Sequence, residues 1–570
     1  MVRTRQILWA VAFALTVLQL PLQAASRPPV RGTGGAVASD EALATEAGLE
    51  ILRQGGNAVD AAVATALALA VVEPEAGNLG GGGFAVLKLG DQVAFLDFRE
   101  IAPAKAFREL YLDEAGEPIP DASLIGPLAS GVPGSPRGLH ELHRRHGRLE
   151  WRKVVEPARK LAADGFVVST RLEEGLDQKQ EVLRRFPETA TVWLPGGEPL
   201  TAGSVLKLPD LAATLARYAE IGPAAVTEGK VAAAIEATAA RHGGILTAVD
   251  LAAYRPVWRE PVRFEAFGWQ VVSAPLPSSG GILLASTAGQ LERLGWAGEP
   301  RFGAARAHLL AESWRRAFAD RFLMGDPATT MADADELLEE AWLDRRAGSV
   351  DRGRATSSDD VSPWFDAAAA GSESSDTTHL SAVDADGNIV ALTTTINGLF
   401  GCGLYVPEAG FFLNNEMDDF AAVPGQPNLF GLIQGEANAV GAGKRMLSSM
   451  SPTIAWRGDQ AVALGGRGGS QIPTATLQVL LNLWIDGDSL QAALDRPRVH
   501  HQWLPDRIVY EPDALSPETR AELQRRGHAI EVEEDEAIGQ VNAVRWDAGT
   551  VEAGGDPRGP GAGGVVEPRP

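Results

Sequence analysis

The sequence predicts a mixed α/β protein that is rich in helices in its first part and rich in strands in its second. Helical stretches with apolar faces recur from residue 42 to about residue 350. From residue 377 onward, runs of Val, Ile, Leu and Thr alternate with glycine-containing turns, a pattern typical of strands. The chain has 570 residues, which is long enough to bury a large core in one or two domains.

The composition disfavours several classes of partner and site. The formal net charge is −23, which makes nucleic acid and anionic membranes poor partners. The single cysteine, Cys402, excludes an intramolecular disulfide and a cysteine-based metal cluster. It lies between two glycines, where a small packed side chain is a more common role than a nucleophile. We therefore expect a protein that acts on small molecules.

The N-terminus is typical of a secretory signal. Two arginines among the first five residues are followed by an apolar run over residues 7–20 and a small-residue cleavage site at Leu22-Gln23-Ala24. An uncleaved membrane anchor is the alternative, but the run is shorter than the roughly 20 residues that span a bilayer. We assign residues 1–24 to a signal peptide, cut after Ala24 or Ala25, and expect export to the periplasm or the medium.

The first elements of the mature chain are a strand and two helices. Residues 35–39 predict the strand, and Ser39 or Asp40 can cap a helix over residues 42–52. Residues 58–72 are almost wholly apolar and end at Glu73-Pro74, which predicts a buried core helix.

A glycine-rich segment, residues 77–84, precedes a hairpin over residues 84–98. No Lys-Ser/Thr pair follows the glycines and the next element is a strand, so we expect close backbone packing and not a phosphate loop. The hairpin leads into Arg99. This side chain either pairs with Glu100 or Asp97, or presents its fork to a substrate carboxylate.

The stretch between about residues 125 and 350 is predominantly helical. The predicted helices cover residues 136–146, 151–164, 208–221, 230–242 and 304–324. His140, His143 and His146 recur every three residues, but helical metal ligands usually lie four apart with an acid among them. We interpret them as a solvated helix face.

A polar, Ala- and Ser-rich linker, residues 355–375, ends at a hairpin around Asp386-Gly387. A two-residue turn would place Thr377 opposite Ile396, and a three-residue turn would place it opposite Thr395. Both registers bring Thr377 and Thr395 close together, with Asn397 nearby. Cleavage before Thr377 would give it a free α-amine that can act as the base for its own hydroxyl.

The second half also contains two loops and a turn that suit a binding site. An acidic loop covers residues 416–419, and a Pro/Gly-rich loop over residues 424–431 is suitable as a lid. A strand over residues 460–464 leads into a glycine turn and a helix from Thr474, which together direct backbone N–H groups at an anion.

Five segments of the second half form a set of motifs: Asp376-Thr377-Thr378-His379-Leu380-Ser381, Thr393-Thr394-Thr395-Ile396-Asn397, Asn414-Asn415-Glu416-Met417-Asp418-Asp419-Phe420, Leu447-Ser448-Ser449-Met450-Ser451-Pro452-Thr453 and Gly468-Gly469-Ser470. These motifs closely resemble those of γ-glutamyltransferases (glutathione hydrolases), which are self-processing N-terminal-nucleophile hydrolases. The resemblance runs from about Gly35 to the C-terminus, in that family's order and spacing.

The resemblance implies an α+β fold, a four-layer αββα sandwich of two antiparallel sheets. It also implies a precursor that cuts itself between Asp376 and Thr377. A helix-rich large subunit, residues 25–376, would end in the flexible linker, and a small subunit, residues 377–570, would begin with the nucleophile. The two would remain associated as a heterodimer.

The resemblance further assigns the site residues. The catalytic set is Thr377, Thr395, Gly468 and Gly469, and the substrate-binding set is Arg99, Asn397, Glu416, Asp419, Ser448 and Ser449. The implied substrates are glutathione and other γ-glutamyl compounds, with water, amino acids or dipeptides as acceptors. No metal, organic cofactor, nucleic acid or membrane span in the mature protein is implied.

Two departures from the family's pattern lie near this site. Arg467 introduces a cation beside the glycine turn, and Phe430 occupies a lid position where bacterial relatives often have tyrosine. Two alternatives to a γ-glutamyltransferase remain: a related acylase that removes glutaryl side chains from β-lactams, and a catalytically silent binding protein for γ-glutamyl compounds. The acids Glu416 and Asp419 disfavour the first, because a glutaryl group has no amine. Retention of Thr377 disfavours the second.

Overall fold

A computed structural model describes residues 29–332, 334–361, 377–534 and 537–567. The predicted signal peptide, most of the predicted linker and Asp376 lie outside the described residues. The strands, in chain order, are β1 (Val30–Gly32), β2 (Gly35–Ser39), β3 (Gly82–Leu89), β4 (Gln92–Asp97), β5 (Phe166–Val167), β6 (Val205–Leu206), β7 (Val257–Arg259), β8 (Val262–Ala266), β9 (Trp269–Ser273), β10 (Thr377–Asp384), β11 (Ile389–Thr395), β12 (Tyr405–Val406), β13 (Phe411–Phe412), β14 (Thr453–Arg457), β15 (Gln460–Arg467), β16 (Val499–His500), β17 (Ile508–Tyr510), β18 (Ile530–Val532), β19 (Gln540–Asp547), β20 (Thr550–Gly554) and β21 (Ala562–Val566).

Most of the helices lie in the first two thirds of the chain. They are α1 (Ala42–Arg53), α2 (Ala58–Val72), α3 (Ser135–His146), α4 (Trp151–Asp164), α5 (Thr170–Leu183), α6 (Pro187–Trp193), α7 (Pro209–Ile221), α8 (Ala224–Thr227), α9 (Gly229–Arg241), α10 (Ala248–Ala253), α11 (Gly280–Arg293), α12 (Ala304–Arg321), α13 (Ala334–Leu338), α14 (Glu340–Gly348), α15 (Ser358–Val361), α16 (Gln471–Trp484), α17 (Leu490–Asp495) and α18 (Pro517–Arg525). No helix in the described ranges is both long enough and apolar enough to cross a membrane.

Two seven-stranded antiparallel sheets form the centre of the molecule. Sheet 1 has the order β21-β2-β10-β11-β3-β4-β7, and sheet 2 has the order β1-β20-β19-β15-β14-β9-β8. Helices α1 and α2 pack on the outer face of sheet 1, and α11 and α16 pack on the outer face of sheet 2. The four-layer αββα sandwich implied by the family motifs is confirmed.

Along each sheet, side chains alternate between the apolar layer that the two sheets share and an apolar layer shared with the helices on the outer face. Ala38 and Val86 of sheet 1 meet Ile454 and Val544 of sheet 2 between the sheets. Leu380, on the opposite face of β10, belongs to the cluster that sheet 1 shares with α1 and α2. Because side chains alternate along a strand, the odd-numbered residues of β10 face sheet 2 and the even-numbered residues face the helices.

The central hairpin adopts the register of the three-residue turn. Thr377 lies directly opposite Thr395, and Val383 lies opposite Ile389. The Asp384 carboxylate accepts hydrogen bonds from the backbone N–H groups of Asp386 and Asn388, which closes the turn. Both threonines therefore lie on the face of sheet 1 that looks toward sheet 2.

The glycine-rich segment packs closely against this hairpin, as expected. A Cβ on Gly81 would lie 2.0 Å from the carbonyl oxygen of Thr395, and one on Gly83 would lie 2.2 Å from that of Thr393. Cys402 is fully buried, and burial raises the pKa of its thiol to about 12, which agrees with a packed side chain.

Four local predictions from the sequence were wrong. The cap of α1 is Glu41, whose carboxylate accepts the N–H groups of Leu43 and Ala44, and not Ser39 or Asp40. The helix expected from Thr474 begins at Gln471.

The strand expected to end at residue 464 continues to Arg467, because Gly465 and Gly466 pair with β19. The histidines at 140, 143 and 146 do not form a solvated face. His143 is buried and lies 3.4 Å from a carboxylate oxygen of Asp60, while the other two pack against tryptophan rings.

Candidate active site

The open end of the central hairpin places the two predicted catalytic threonines together. The hydroxyl of Thr377 donates to that of Thr395 at 3.4 Å, and both side chains are buried. The Thr395 hydroxyl also accepts the backbone N–H of Asn397 at 2.8 Å. Asn397 adopts a positive φ of 74° that turns the chain away from the sheet, and its amide donates to the Asn415 carbonyl at 3.0 Å. The strand end is thereby fixed on both sides of Thr395.

A pocket at this end of the hairpin has a volume of about 290 Å³, part of which is open to solvent. Every described residue assigned to the site from the sequence lines it, with the exception of Gly468. The lining consists of Arg99, Thr377, Thr395, Asn397, Glu416, Asp419, Phe430, Leu432, Ser448, Ser449, Met450, Gly469 and Ile472. Residues that are far apart in the sequence therefore converge on Thr377.

Arg99 is the cationic centre of this pocket. It follows the end of β4, and its backbone N–H donates to Asp97 at 2.9 Å. Its guanidinium lies 2.5 Å from a carboxylate oxygen of Glu416 and also binds Asp419. The main partners of the Arg99 guanidinium are therefore not its neighbours in sequence. Glu100 is 3.7 Å away, and the two closer acids come from the loop 416–419.

Burial controls the protonation of this cluster. It raises the pKa of Glu416 well above its usual value and that of Glu100 to about 8, against the lowering effect of Arg99 in both cases. Burial alone would lower the pKa of Arg99, but Glu416, Asp419 and Glu100 together raise it. One fully charged guanidinium therefore stabilises several buried carboxyls.

Three further side chains support the acidic loop, and the sequence analysis did not identify them. Gln434 and Asn438 donate to the backbone carbonyl of Asp419 at 3.0 and 2.6 Å. Arg321, at the end of α12, donates to Ser279 at 3.0 Å and to Gln434 at 3.2 Å. Burial lowers the pKa of Arg321 to about 10. A buried arginine at the end of an otherwise ordinary helix gives no signal in a single sequence.

Ser448 and Ser449 lie on the wall of the pocket. The Ser448 hydroxyl accepts the backbone N–H of Met450 at 3.1 Å, and its backbone N–H donates to the Pro277 carbonyl at 2.8 Å. These bonds fix the turn that carries both serines. Two hydroxyls beside Arg99 form a donor set that suits a carboxylate.

The glycine turn follows β15 and leads into α16. Gly468 and Gly469 have positive φ angles of 124° and 52°, and the carbonyl of Gly468 accepts the backbone N–H of Gln471 at 2.9 Å. Phe430 covers this turn, since a Cβ on Gly469 would lie 2.3 Å from its ring. The positive end of the α16 dipole and the turn N–H groups favour negative charge here.

A second buried cluster lies on the opposite face of β10, around Thr378. Its carboxylates are Asp40, Glu73 and Glu75, and its cations are Arg171 and Arg467. Arg467 lies 3.7 Å from Glu73 and is not among the residues that line the pocket. The expected cation beside the glycine turn is therefore directed at a carboxylate on the side of β10 that faces away from the pocket.

One group of three possible metal ligands occurs in the part of the chain that the structure describes: His308, Glu312 and His528. The two imidazoles are hydrogen-bonded to each other at 2.7 Å. The carboxylate of Glu312 already accepts hydrogen bonds from Arg316 and Thr356 and lies 3.4 Å from Arg315. Two guanidinium groups at this carboxylate disfavour a cation, and the group is separate from the pocket.

The family model described as gamma-glutamyltranspeptidase matches residues 44–566. A glutathione hydrolase proenzyme from Pseudomonas aeruginosa is 42% identical over 566 residues, which cover 98% of this chain and 100% of that protein. Its Escherichia coli counterpart is 42% identical over 93% of this chain and 91% of its own. An acylase ACY 1 proenzyme from a Pseudomonas species is 36% identical over 91% of both chains.

Solved structures show the same similarities. A cephalosporin acylase from Bacillus halodurans superposes with a TM-score of 0.82 at 27% identity, over 97% of this chain and 99% of that one. A γ-glutamyltranspeptidase from Pseudomonas nitroreducens, complexed with L-DON, is 40% identical with a TM-score of 0.56. That match covers 58% of this chain and 98% of the other.

Proposed function

The chain belongs to the γ-glutamyltranspeptidase family and acts as a glutathione hydrolase and γ-glutamyltransferase, and we propose that Thr377 is the nucleophile of this reaction. The observation that carries this assignment is the pocket itself. The hydroxyl of Thr377 faces Thr395 at 3.4 Å, in a pocket that also contains Arg99, Glu416 and Asp419. This set combines a nucleophile with groups suited to both charges of an α-amino acid.

Maturation begins with attack of the Thr377 hydroxyl on the Asp376 carbonyl. The peptide bond breaks, its nitrogen becomes the free amine of Thr377, and the acyl group forms an ester with the hydroxyl. Water then hydrolyses the ester and leaves Asp376 as the end of a large subunit, residues 25–376. The small subunit, residues 377–570, begins with the new α-amine.

The two subunits remain associated because both contribute strands to both sheets. In sheet 1, β10 pairs with β2, and β11 pairs with β3. In sheet 2, β14 pairs with β9. Separation would break these ladders and expose the apolar layer between the sheets, so cleavage produces a stable heterodimer.

The γ-glutamyl substrate binds by exchanging partners with the pocket. Its α-carboxylate accepts hydrogen bonds from Arg99, Ser448 and Ser449. Its ammonium donates to Glu416, Asp419 and Asn397, so the acids gain a new cation as Arg99 gains a new anion. A zwitterion leaves the net charge of the pocket unchanged, which limits the electrostatic cost of binding.

Acyl transfer uses the amine of Thr377 as the base. It removes the proton of the Thr377 hydroxyl, which attacks the γ-carbonyl, and Thr395 orients the attacking oxygen. Backbone N–H groups of Gly468 and Gly469 stabilise the oxyanion, a contribution of about 3 kcal/mol per donor. The leaving amine takes the proton, and water or the amine of an amino acid or dipeptide then attacks the ester and restores the hydroxyl.

An acylase acting on glutaryl groups is the second candidate, because a cephalosporin acylase superposes on nearly the whole chain and an acylase proenzyme is 36% identical. The acids Glu416 and Asp419 favour the γ-glutamyl substrate, since only that substrate carries an ammonium. Export to the periplasm or medium, directed by residues 1–24, agrees with either activity.

The test is a rate comparison between γ-glutamyl anilide and glutaryl anilide, with the purified protein and its Thr377→Ala variant. We expect the wild type to release aniline from the first substrate far faster, and the variant to remain uncut and inactive. Preference for the glutaryl compound would favour the acylase. Activity in an uncut Thr377→Ala variant would refute the nucleophile.

A further inference from the structure

Thr378, the residue after the proposed nucleophile, lies between two buried carboxyl groups. Its hydroxyl oxygen is 3.0 Å from a carboxylate oxygen of Asp40 and 2.7 Å from one of Glu73. All three residues are at most 1% exposed. Because Thr378 faces the helices and Thr377 faces sheet 2, this contact lies behind the nucleophile and outside the pocket.

The number of protons available at this contact limits which hydrogen bonds can form. A hydroxyl carries one proton and can donate to only one of the two carboxyl groups. The second contact is favourable only if that carboxyl is itself protonated and donates to the hydroxyl oxygen. Two ionised carboxylates around one hydroxyl would leave oxygen atoms in repulsive contact in a buried environment.

The hydrogen bonds identify which carboxyl carries the proton. The oxygen of Asp40 that contacts Thr378 also accepts the backbone N–H of His379 at 2.9 Å, and its other oxygen accepts the amide of Asn542 at 2.6 Å. This set of donors suits an ionised carboxylate. Within the described ranges, no backbone N–H or side-chain amide is hydrogen-bonded to the Glu73 oxygen that contacts Thr378. Burial raises the pKa of Glu73 well above its usual value, despite the lowering effect of Arg171.

The surrounding charges agree with this assignment. Arg171 of α5 lies 3.3 Å from Glu73 and 3.1 Å from Glu75, and Arg467 of β15 lies 3.7 Å from Glu73. With Asp40, the cluster contains three carboxyl groups and two guanidinium groups. One proton on Glu73 makes the cluster neutral, which is the favoured state for buried groups.

We propose that Glu73 is a positioning residue, held in its protonated form, and that it donates to Thr378 so that Glu73, Thr378 and Asp40 form one continuous hydrogen-bond chain. The proposal rests on the assignment of Thr377 as the nucleophile. Once the chain is cut, Thr377 has a single covalent neighbour, Thr378. The hydrogen-bond chain therefore fixes the only peptide unit that holds the nucleophile against Thr395.

This arrangement predicts a loss of turnover at alkaline pH. Below the pKa of Glu73 the hydrogen-bond chain is complete. As the pH rises through that pKa, Glu73 ionises, its donor is lost, and repulsion from Asp40 displaces Thr378. The result is an alkaline limb in kcat that arises behind the pocket and not in the substrate-binding groups.

The test compares Glu73→Gln with Glu73→Ala, after a denaturing gel has verified cleavage. The glutamine amide replaces the lost O–H donor, so we expect kcat within about threefold of the wild type and no Glu73-dependent alkaline limb. Alanine removes the donor, and we expect kcat to fall at least about tenfold. Thr378→Ser should behave like the wild type and Thr378→Val like the alanine variant.

Glu75→Gln is the matched control, because Glu75 binds Arg171 in the same cluster but is not a partner of Thr378. It should retain the alkaline limb, moved to lower pH because the Glu75 carboxylate raises the pKa of Glu73. The proposal is overturned if the glutamine variant at 73 is as impaired as the alanine variant, or if it keeps the full alkaline limb.

A readout without turnover separates this proposal from the proposed function. In the Thr377→Ala background at neutral pH, the infrared spectrum should contain the carbonyl bands of several buried protonated carboxylic acids, including Glu100 and Glu73. Glu73→Gln should remove the Glu73 band and leave the others. Loss of the band would support the proton on Glu73 even if the wild type proved inactive toward γ-glutamyl anilide. An unchanged spectrum would overturn it even in an active enzyme.

Discussion

Two buried arginine–carboxylate clusters flank β10, the strand that carries the proposed nucleophile, and they differ in how their excess of carboxyl groups is balanced. The Arg99 cluster has Glu416, Asp419 and Glu100 around Arg99, with Arg321 also lowering the pKa of Asp419, and it opens onto the pocket. The cluster around Thr378 has three carboxyl groups and two arginines and lies behind the strand. Both contain more carboxyl groups than cations.

The difference indicates that a surplus of buried acid serves two purposes in this molecule. In the Arg99 cluster, we propose that the acids bind the substrate ammonium while Arg99 binds its carboxylate, so the surplus contributes to recognition. In the cluster behind the strand, a proton on Glu73 supplies it, so the surplus contributes to positioning. Each prediction below removes one member of a cluster and asks whether this division holds.

The largest effect is expected from Arg99→Lys. A lysine keeps the charge but cannot reach Glu416 and Asp419 with a planar fork, so buried acids and the substrate carboxylate lose their partner. We expect kcat/KM for γ-glutamyl anilide to fall at least about 100-fold, or about 3 kcal/mol. Arg108→Lys, at an exposed pair with Glu436, is the control. If Arg99→Lys had a normal kcat/KM, Arg99 would not take part in substrate recognition.

Glu100→Gln should change the pH dependence of stability. The folded protein holds the Glu100 proton up to about pH 8, while the unfolded chain loses it near pH 4.5. Wild-type stability therefore falls as the pH rises through this window, because the unfolded state binds fewer protons. We expect the variant to lack that decrease, on the order of 2 kcal/mol in urea unfolding at pH 5 and pH 8. Glu436→Gln serves as the exposed control, and an unchanged slope at Glu100 would contradict the shift.

Glu416→Gln should weaken discrimination between substrates. The ammonium of a γ-glutamyl substrate loses one charged acceptor, whereas a glutaryl substrate has no group there to lose. We expect the ratio of kcat/KM for the two anilides to fall about tenfold, or about 1.4 kcal/mol. Parallel decreases for both substrates would indicate a structural role for Glu416 and not recognition of the amine.

The smallest effect is expected from Arg467→Gln. Removing a cation near Glu73 favours its neutral form, so the alkaline limb of kcat should move to higher pH. The shift should be smaller than that for Arg171→Gln, because Arg467 is farther from Glu73, at 3.7 Å compared with 3.3 Å. A shift of the alkaline limb to lower pH, or a change in KM alone, would contradict this prediction and indicate that Arg467 acts in the pocket.

The residues of the pocket could be predicted because the family motifs assign them, and the central hairpin alone brings the two threonines together. Thr377 and Thr395 could be paired across the hairpin from turn length alone, with two registers left open, and the structure selected one. The four substrate-binding residues that the family motifs assign in the acidic loop and the serine turn line the pocket: Glu416, Asp419, Ser448 and Ser449.

The cluster behind the strand could not be predicted, because it depends on long-range contacts. Asp40 and Glu73 lie more than 300 positions from Thr378, and no local pattern links them. The orientation of Arg467 could not be predicted either, because it depends on whether Gly465 and Gly466 form a turn or a strand. In the structure both glycines pair with β19, so Arg467 is the last residue of β15. His143 appeared solvated because the sequence does not reveal that Asp60 and Trp151 pack against it.

The central claim is that cleavage before Thr377 creates the amine and frees the hydroxyl that carry the reaction. The most direct test is mass spectrometry of the protein quenched during turnover of a slow γ-glutamyl substrate. We predict a fragment that begins at Thr377 and carries one γ-glutamyl group as an ester on that residue. An uncut chain that still turns over, or an acyl group on any other residue, would contradict the account.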